Sequence, residues 1–106
     1  MAVSFFSKLF SAQARTQATY ERGLAKAKDR KLEEALVDYN TVIETKNVSP
    51  ELKAMALLNR GILFAAQSDF DRAQKDLEAV IKLPNAPSHV QAAAKEKLNR
   101  VNRRIP

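Results

Sequence analysis

The segment 22–44 lies over the segment 60–82 without a gap, at an offset of 38 residues. Arg22/Arg60, Gly23/Gly61, Ala27/Ala65, Ala35/Ala73, Asp38/Asp76, Val42/Val80 and Ile43/Ile81 are identical. Leu24/Ile62, Leu32/Phe70, Glu33/Asp71 and Tyr39/Leu77 are similar. The shared small and apolar positions recur three and four residues apart, the spacing that puts side chains on one face of a helix. A period of 20–50 residues means one supersecondary unit built more than once, each copy needing its neighbours to complete a core.

The second copy is the sharper one. Leu58, Ile62, Ala65 and Ala66 follow helical spacing, and so do Leu57, Gly61 and Phe64. That helix is apolar on more than one side, so it is expected between neighbours rather than on a surface. Gln67-Ser68-Asp69 is a polar break in which Ser68 or Asp69 can cap the next helix through its side-chain oxygen. Phe70, Ala73, Leu77, Val80 and Ile81 carry the core face of that helix, and Pro84 stops it. Gly61 costs up to about 1 kcal/mol inside a helix relative to alanine, so it implies a close approach of two helices. Ala73 is expected as the small residue opposite it.

The pattern Leu57-x3-Gly61-x2-Phe64-x5-Phe70-x2-Ala73 resembles a tetratricopeptide repeat. Gly61 falls at the family's glycine, Phe64 and Phe70 at its aromatic positions, and Ala73 at its second-helix alanine. The first copy keeps Gly23, Leu32, Ala35 and Tyr39 and carries Lys26 at an aromatic position. The resemblance covers about residues 16–84. It implies an all-α fold, a short right-handed α-solenoid of antiparallel helix pairs. It also implies a concave groove lined by the first helix of each pair, in which extended or helical peptides lie. The groove positions that carry over include Tyr20 and Leu24 in repeat one, Met55, Leu58 and Ile62 in repeat two, and Leu98 in the last helix. Only Asn59 matches the polar set with which some family members hold a peptide carboxylate, so an apolar groove is expected.

Taken in order, the chain reads as a single domain of about six helices. Residues 2–12 form an amphipathic N-terminal helix, 14–46 repeat one, 50–84 repeat two, and 88–103 a capping helix. In the first segment Phe5, Phe6, Leu9 and Phe10 make a broad apolar face opposite Ser4, Ser7, Lys8 and Ser11. That face packs on its own domain, docks into another protein or a second copy, or lies on a membrane surface. Ser49-Pro50 opens a helix with a cap followed by proline in the first turn, and Ser88-x-x-Gln91 fits a capping box. Leu98-Asn99-Arg100 echoes Leu58-Asn59-Arg60, so the last helix resembles a third first-helix without a partner. Lys95, Lys97, Arg100, Arg103 and Arg104 are expected on its uncovered outer face, and near its C-terminus cations also suit the helix dipole.

Composition bounds the chemistry. The 106 residues include no cysteine, which excludes disulfides and thiolate metal sites. No apolar run reaches the 18 or so residues that span a bilayer. The net charge of +6 is concentrated at the two ends, but aromatics are few and no nucleic-acid motif is present. His89, the single histidine, sits at a helix start, and no nucleophile motif or phosphate-cradling loop surrounds it. The expectation is a cytoplasmic, non-catalytic protein-interaction module with no cofactor and no metal, holding a partner peptide or amphipathic helix in an apolar groove. The alternative is a homo-oligomeric scaffold, or an adaptor at a membrane surface or on nucleic acid, working through the N-terminal phenylalanines and the basic ends.

Overall fold

The computed structural model describes the backbone of residues 2–106 and the side chains of residues 6–106. Five helices account for the described chain, and no strand occurs among the described residues. They are α1 (Ala2–Lys28), α2 (Leu32–Glu44), α3 (Pro50–Ala66), α4 (Phe70–Lys82) and α5 (Ser88–Arg104). The chain divides into two compact units, Met1–Val48 and Ser49–Pro106.

The expected six helices are five because the N-terminal segment and the first helix of repeat one are a single helix of 27 residues. The physical reason lies in 11–16, Ser-Ala-Gln-Ala-Arg-Thr, which contains neither proline nor glycine to stop propagation. At 1.5 Å per residue α1 is about 40 Å long, whereas the 13 residues of α2 span about 20 Å. The two run antiparallel. Gly23 lies against Tyr39, and Ala12, Arg15 and Thr16 come level with Thr41 and Thr45 near the end of α2. The N-terminal turns of α1 therefore extend past the end of α2.

The repeat seen in the sequence recurs in the turns. Arg30 (φ 64°) and Ser68 (φ 61°) occupy the left-handed region at the ends of α1 and α3. The N–H of Lys31 donates to the Lys26 carbonyl at 2.9 Å, and the N–H of Asp69 to the Phe64 carbonyl at 2.8 Å. This bond across a left-handed residue satisfies carbonyls that the helix end would leave bare. Asn47 (φ 63°) and Asn85 (φ 65°) also stand in the left-handed region, each inside a turn just beyond α2 and α4, where the N–H of Val48 donates to the Thr45 carbonyl and that of Ala86 to the Leu83 carbonyl; asparagine tolerates that region better than most residues. The two pairs of turn residues are again 38 positions apart.

Caps set the starts. Ser49 Oγ accepts from the Leu52 N–H at 3.1 Å, with Pro50 in the first turn of α3. Of the two candidates before α4, Asp69 is the cap, accepting from the Arg72 N–H at 3.3 Å, while Ser68 supplies the left-handed turn. The capping box expected at Ser88 and Gln91 does not form. Pro87 precedes α5, and no side chain caps its first turn. Gln91 Nε2 instead donates to the Ile81 carbonyl at 3.1 Å, satisfying the unpaired end of α4.

Within each unit the pairs are locked the same way. A Cβ on Gly23 would stand 2.8 Å from Tyr39 Cε1, and one on Gly61 would stand 3.2 Å from Leu77 Cδ2 and 3.3 Å from Asp76 Cβ. The residues across from Gly61 are thus Leu77 and Asp76, rather than the expected Ala73. Ala73 is itself buried, one turn earlier on α4.

Candidate interaction site

An ion pair sits beside each glycine. Arg22 donates through Nε and Nη2 to Oδ2 and Oδ1 of Asp38 at 3.1 and 2.8 Å. Arg60 donates likewise to Asp76 at 2.8 and 2.7 Å. Both carboxylates are buried, at 2% and 6% exposure, on the helix face that carries Ala35, Tyr39 and Val42 or their counterparts Ala73, Leu77 and Val80. A planar guanidinium satisfies both oxygens of a buried carboxylate at once, which removes the penalty of leaving it unpaired. The Arg22 guanidinium holds the Asp38 carboxyl below the usual carboxylate range, against the opposing effect of burial, with help from Lys26 at 3.0 Å. Sequence comparison put both residue pairs at matching positions without revealing that they touch.

The copies differ at the position four residues beyond each of these arginines. Lys26 reaches Asp38, whereas its counterpart Phe64 has two guanidinium groups over its ring, Arg60 at 5.8 Å and Arg72 at 5.6 Å from the ring centre. Cations over an aromatic face are attracted by its quadrupole.

The expected groove residues fall into two sets. Tyr20 and Leu24 belong to the first unit. Tyr20 is only 3% exposed, with its ring centre 6.1 Å from that of Tyr39, so it is mainly part of the α1–α2 core. Leu24 is half-buried. Met55, Leu58, Ile62 and Leu98 belong to the second unit, and all four are half-buried. On α3, Leu57 and Gly61 are buried, while Leu58 and Ile62, one position on from each, remain part-exposed.

Ile62 opens onto a hollow of about 320 Å³ within the second unit. Ala65, Phe70, Leu77 and Val101 are its other main apolar walls, and Lys97, Arg100 and Arg104 stand at its edge. These three cations were expected on an outer, solvated face of α5. Arg100 and Arg104 are exposed and Lys97 is half-buried; spaced i, i+3 and i+7, with Val101 between them, all three also border the hollow. Val101 on their own face was the available signal.

Of the expected docking residues, the Phe5 side chain lies outside the described residues. Phe6 and Phe10 are 57% and 71% exposed, and Leu9 is also exposed, all on the part of α1 that reaches past α2. His89 is exposed in the first turn of α5. Among the described residues no group of three histidine, aspartate or glutamate side chains stands close enough to hold a metal ion. Among them too, no helix is long and apolar enough to cross a membrane.

Fold and site together define an all-α protein of antiparallel helix pairs, with an open apolar hollow in its second unit. No family model matches the chain, and neither a curated protein nor a solved structure does.

Proposed function

We propose that the chain is a non-catalytic interaction module of the tetratricopeptide kind, acting in the cytoplasm. Its partner lays a peptide or an amphipathic helix along the apolar face of a first helix. The observation that carries this reading is on α3. A helix whose Leu57 is buried and whose Gly61 is sealed against α4 leaves Leu58 and Ile62 part-exposed, with Met55 one turn earlier. Aliphatic side chains left open in a row mark a surface that something else covers. Leu24, at the position matching Ile62, offers the same feature on α1.

The test is Leu58→Glu. A half-buried position accepts a charge with little loss of helix content, so the variant is expected to stay folded by circular dichroism and to lose whatever binds the wild-type chain in affinity capture from its native source. If the variant unfolds, Leu58 is a core residue and the surface does not exist; if it folds and captures as before, the binding face lies elsewhere.

A second reading rests on Phe6 and Phe10, large aromatics left exposed where α1 outruns α2. That stretch suits a second copy or an anionic membrane surface. Phe6→Ser/Phe10→Ser is expected to lower the mass measured by sedimentation equilibrium in the first case, and to abolish co-sedimentation with phosphatidylserine vesicles in the second. If the wild-type chain is monomeric and does not co-sediment, this reading fails.

A further inference from the structure

We propose that the hollow bordered by α3, α4 and α5 is an anchor pocket for one bulky apolar side chain of a partner peptide, and that this side chain is flanked by carboxylates. The proposal rests on the interaction-module reading and names the chemistry of its partner. Its main apolar walls are Ile62, Ala65, Phe70, Leu77 and Val101, with Ser68 the one uncharged polar residue of the lining. Its edge carries three cations, Lys97, Arg100 and Arg104, and no acidic residue lines it. Arg100 is tied to Glu96 at 2.9 Å; among the described residues neither Lys97 nor Arg104 has an ion-pair partner.

The helix dipole explains only part of that charge. Its effect fades within the last turn, which holds Arg103 and Arg104. Lys97 lies two turns back, where the dipole gives no reason for a cation to stand beside an apolar hollow.

Size selects the kind of occupant. A volume of about 320 Å³ is at the floor of the roughly 300–1,000 Å³ range of small-molecule sites, and the hollow opens to solvent, so it would not enclose a whole ligand. One phenyl or leucyl group fits, leaving its backbone outside at the level of the cations. Charge then selects among peptides. The aromatics that this chain itself exposes, Phe6 and Phe10, come with Lys8 and Arg15, and no acid occurs before Glu21. Against three cations that stretch is repelled, so a second copy is a poor occupant, and a segment in which phenylalanine or leucine stands next to glutamate or aspartate is a good one.

The test uses two blocked peptides of equal length, one alternating phenylalanine and leucine with glutamate, the other with lysine at every glutamate position. Each is titrated into the full isotope-labelled chain and followed by amide chemical shifts. The acidic peptide is expected to shift amides in 62–77 and 97–104, with binding that weakens steeply as salt is raised. Lys97→Glu/Arg104→Glu is expected to weaken it at least tenfold and to gain affinity for the lysine peptide. Should that variant not fold, Lys97→Gln/Arg104→Gln replaces it, with at least a threefold loss expected. Equal binding of the two peptides, unchanged binding by the folded variant, shifts outside these segments, or no shifts at millimolar peptide each overturns the proposal. A single-stranded oligonucleotide that binds as well as the acidic peptide also overturns it. These outcomes are separate from the Leu58→Glu experiment: loss of capture there alongside indifference to charge here removes only the anchor chemistry.

Discussion

Gly23 and Gly61 occupy the same place in the two copies, yet the structure sets different consequences for filling them. In both, alanine would recover about 1 kcal/mol of helix propensity. At Gly23 the new methyl would meet Tyr39 Cε1 at 2.8 Å, Tyr39 Cδ1 at 3.0 Å and Asp38 Cβ at 3.2 Å. A phenyl ring that is 1% exposed has no room to swing, and the Asp38 Cβ is fixed to the backbone of α2. Extra methylenes forced into such a site cost about 1–3 kcal/mol, so after the recovered propensity the net effect of Gly23→Ala is a loss of up to about 2 kcal/mol, near that upper end because of the close approach to the ring. At Gly61 the nearest atoms are the Leu77 side chain at 3.2 Å and Asp76 Cβ at 3.3 Å. A shift of a few tenths of an ångström relieves these, and the net effect is expected to lie within about 1 kcal/mol of zero. Urea unfolding gives the values. Tyr20 and Tyr39 are the chain's two tyrosines, both in the first unit, and the chain has no tryptophan, so tyrosine emission reports that unit while circular dichroism reports all helices. For a unit as small as Met1–Val48 a loss of 1 kcal/mol lowers the midpoint temperature by roughly 10 °C. Gly23→Ala as stable as the wild type, or Gly61→Ala losing more than Gly23→Ala, would refute the argument that the ring of Tyr39 makes the first pair the tighter one.

Two further outcomes follow from the paired charges and the buried phenol. Asp76→Ala leaves Arg60 without its carboxylate and is expected to cost about 2–3 kcal/mol, less than a fully enclosed pair because Arg60 keeps some water; in the double variant Arg60→Met/Asp76→Leu most of that loss returns, as read by thermal melting. Burial pushes the Tyr39 hydroxyl up to about 12, so below the ordinary tyrosine value of about 10 it is neutral in both states and stability is unaffected. Between about pH 10 and 12 the unfolded chain loses the proton and the folded chain keeps it, which is expected to remove up to about 2–3 kcal/mol as pH rises; urea midpoints by circular dichroism at about pH 9 and 11.5 should show that fall, and Tyr39→Phe should flatten it.

The helices and their pairing were legible because both depend on local pattern. Apolar residues at three- and four-residue spacing marked the faces, and the polar break at 67–69 marked a reversal. What local pattern lacks is knowledge of what lies across the gap. Ser88 and Gln91 have the spacing of a capping box, but Gln91 finds the bare carbonyl of Ile81 within reach and bonds there. Gly61 called for a small partner, and Ala73 was the nearest one in sequence, yet packing brings Leu77 and Asp76 opposite. The hollow was illegible for the same reason. Phe70 reads as a core position and Ile62 as a groove position, and neither tells that three helices leave a space between them. The ion pairs were half-visible: an aspartate repeated within an apolar stripe, with an arginine 16 residues earlier in both copies, is a buried carboxylate with its counter-charge.

The divergence beside these ion pairs shows how a repeat can keep its frame while changing its surface. In both copies arginine and aspartate clamp the first helix to the second, so the frame does not depend on what stands four residues beyond the arginine. In the first copy that place is Lys26, which adds a second cation to Asp38 and leaves the carboxylate held from two sides. In the second it is Phe64, which adds none but stacks under Arg60 and Arg72, holding in place the guanidinium that grips Asp76. The first copy therefore secures its carboxylate by charge and the second by orienting its arginine. Salt weakens the two unequally, since exposed charges are screened and covered ones much less. The first pair, with Arg22 largely in water, depends more on low ionic strength; the second, whose Arg60 is mostly covered, keeps its clamp. That is the frame on which the open face of α3 and its hollow are built.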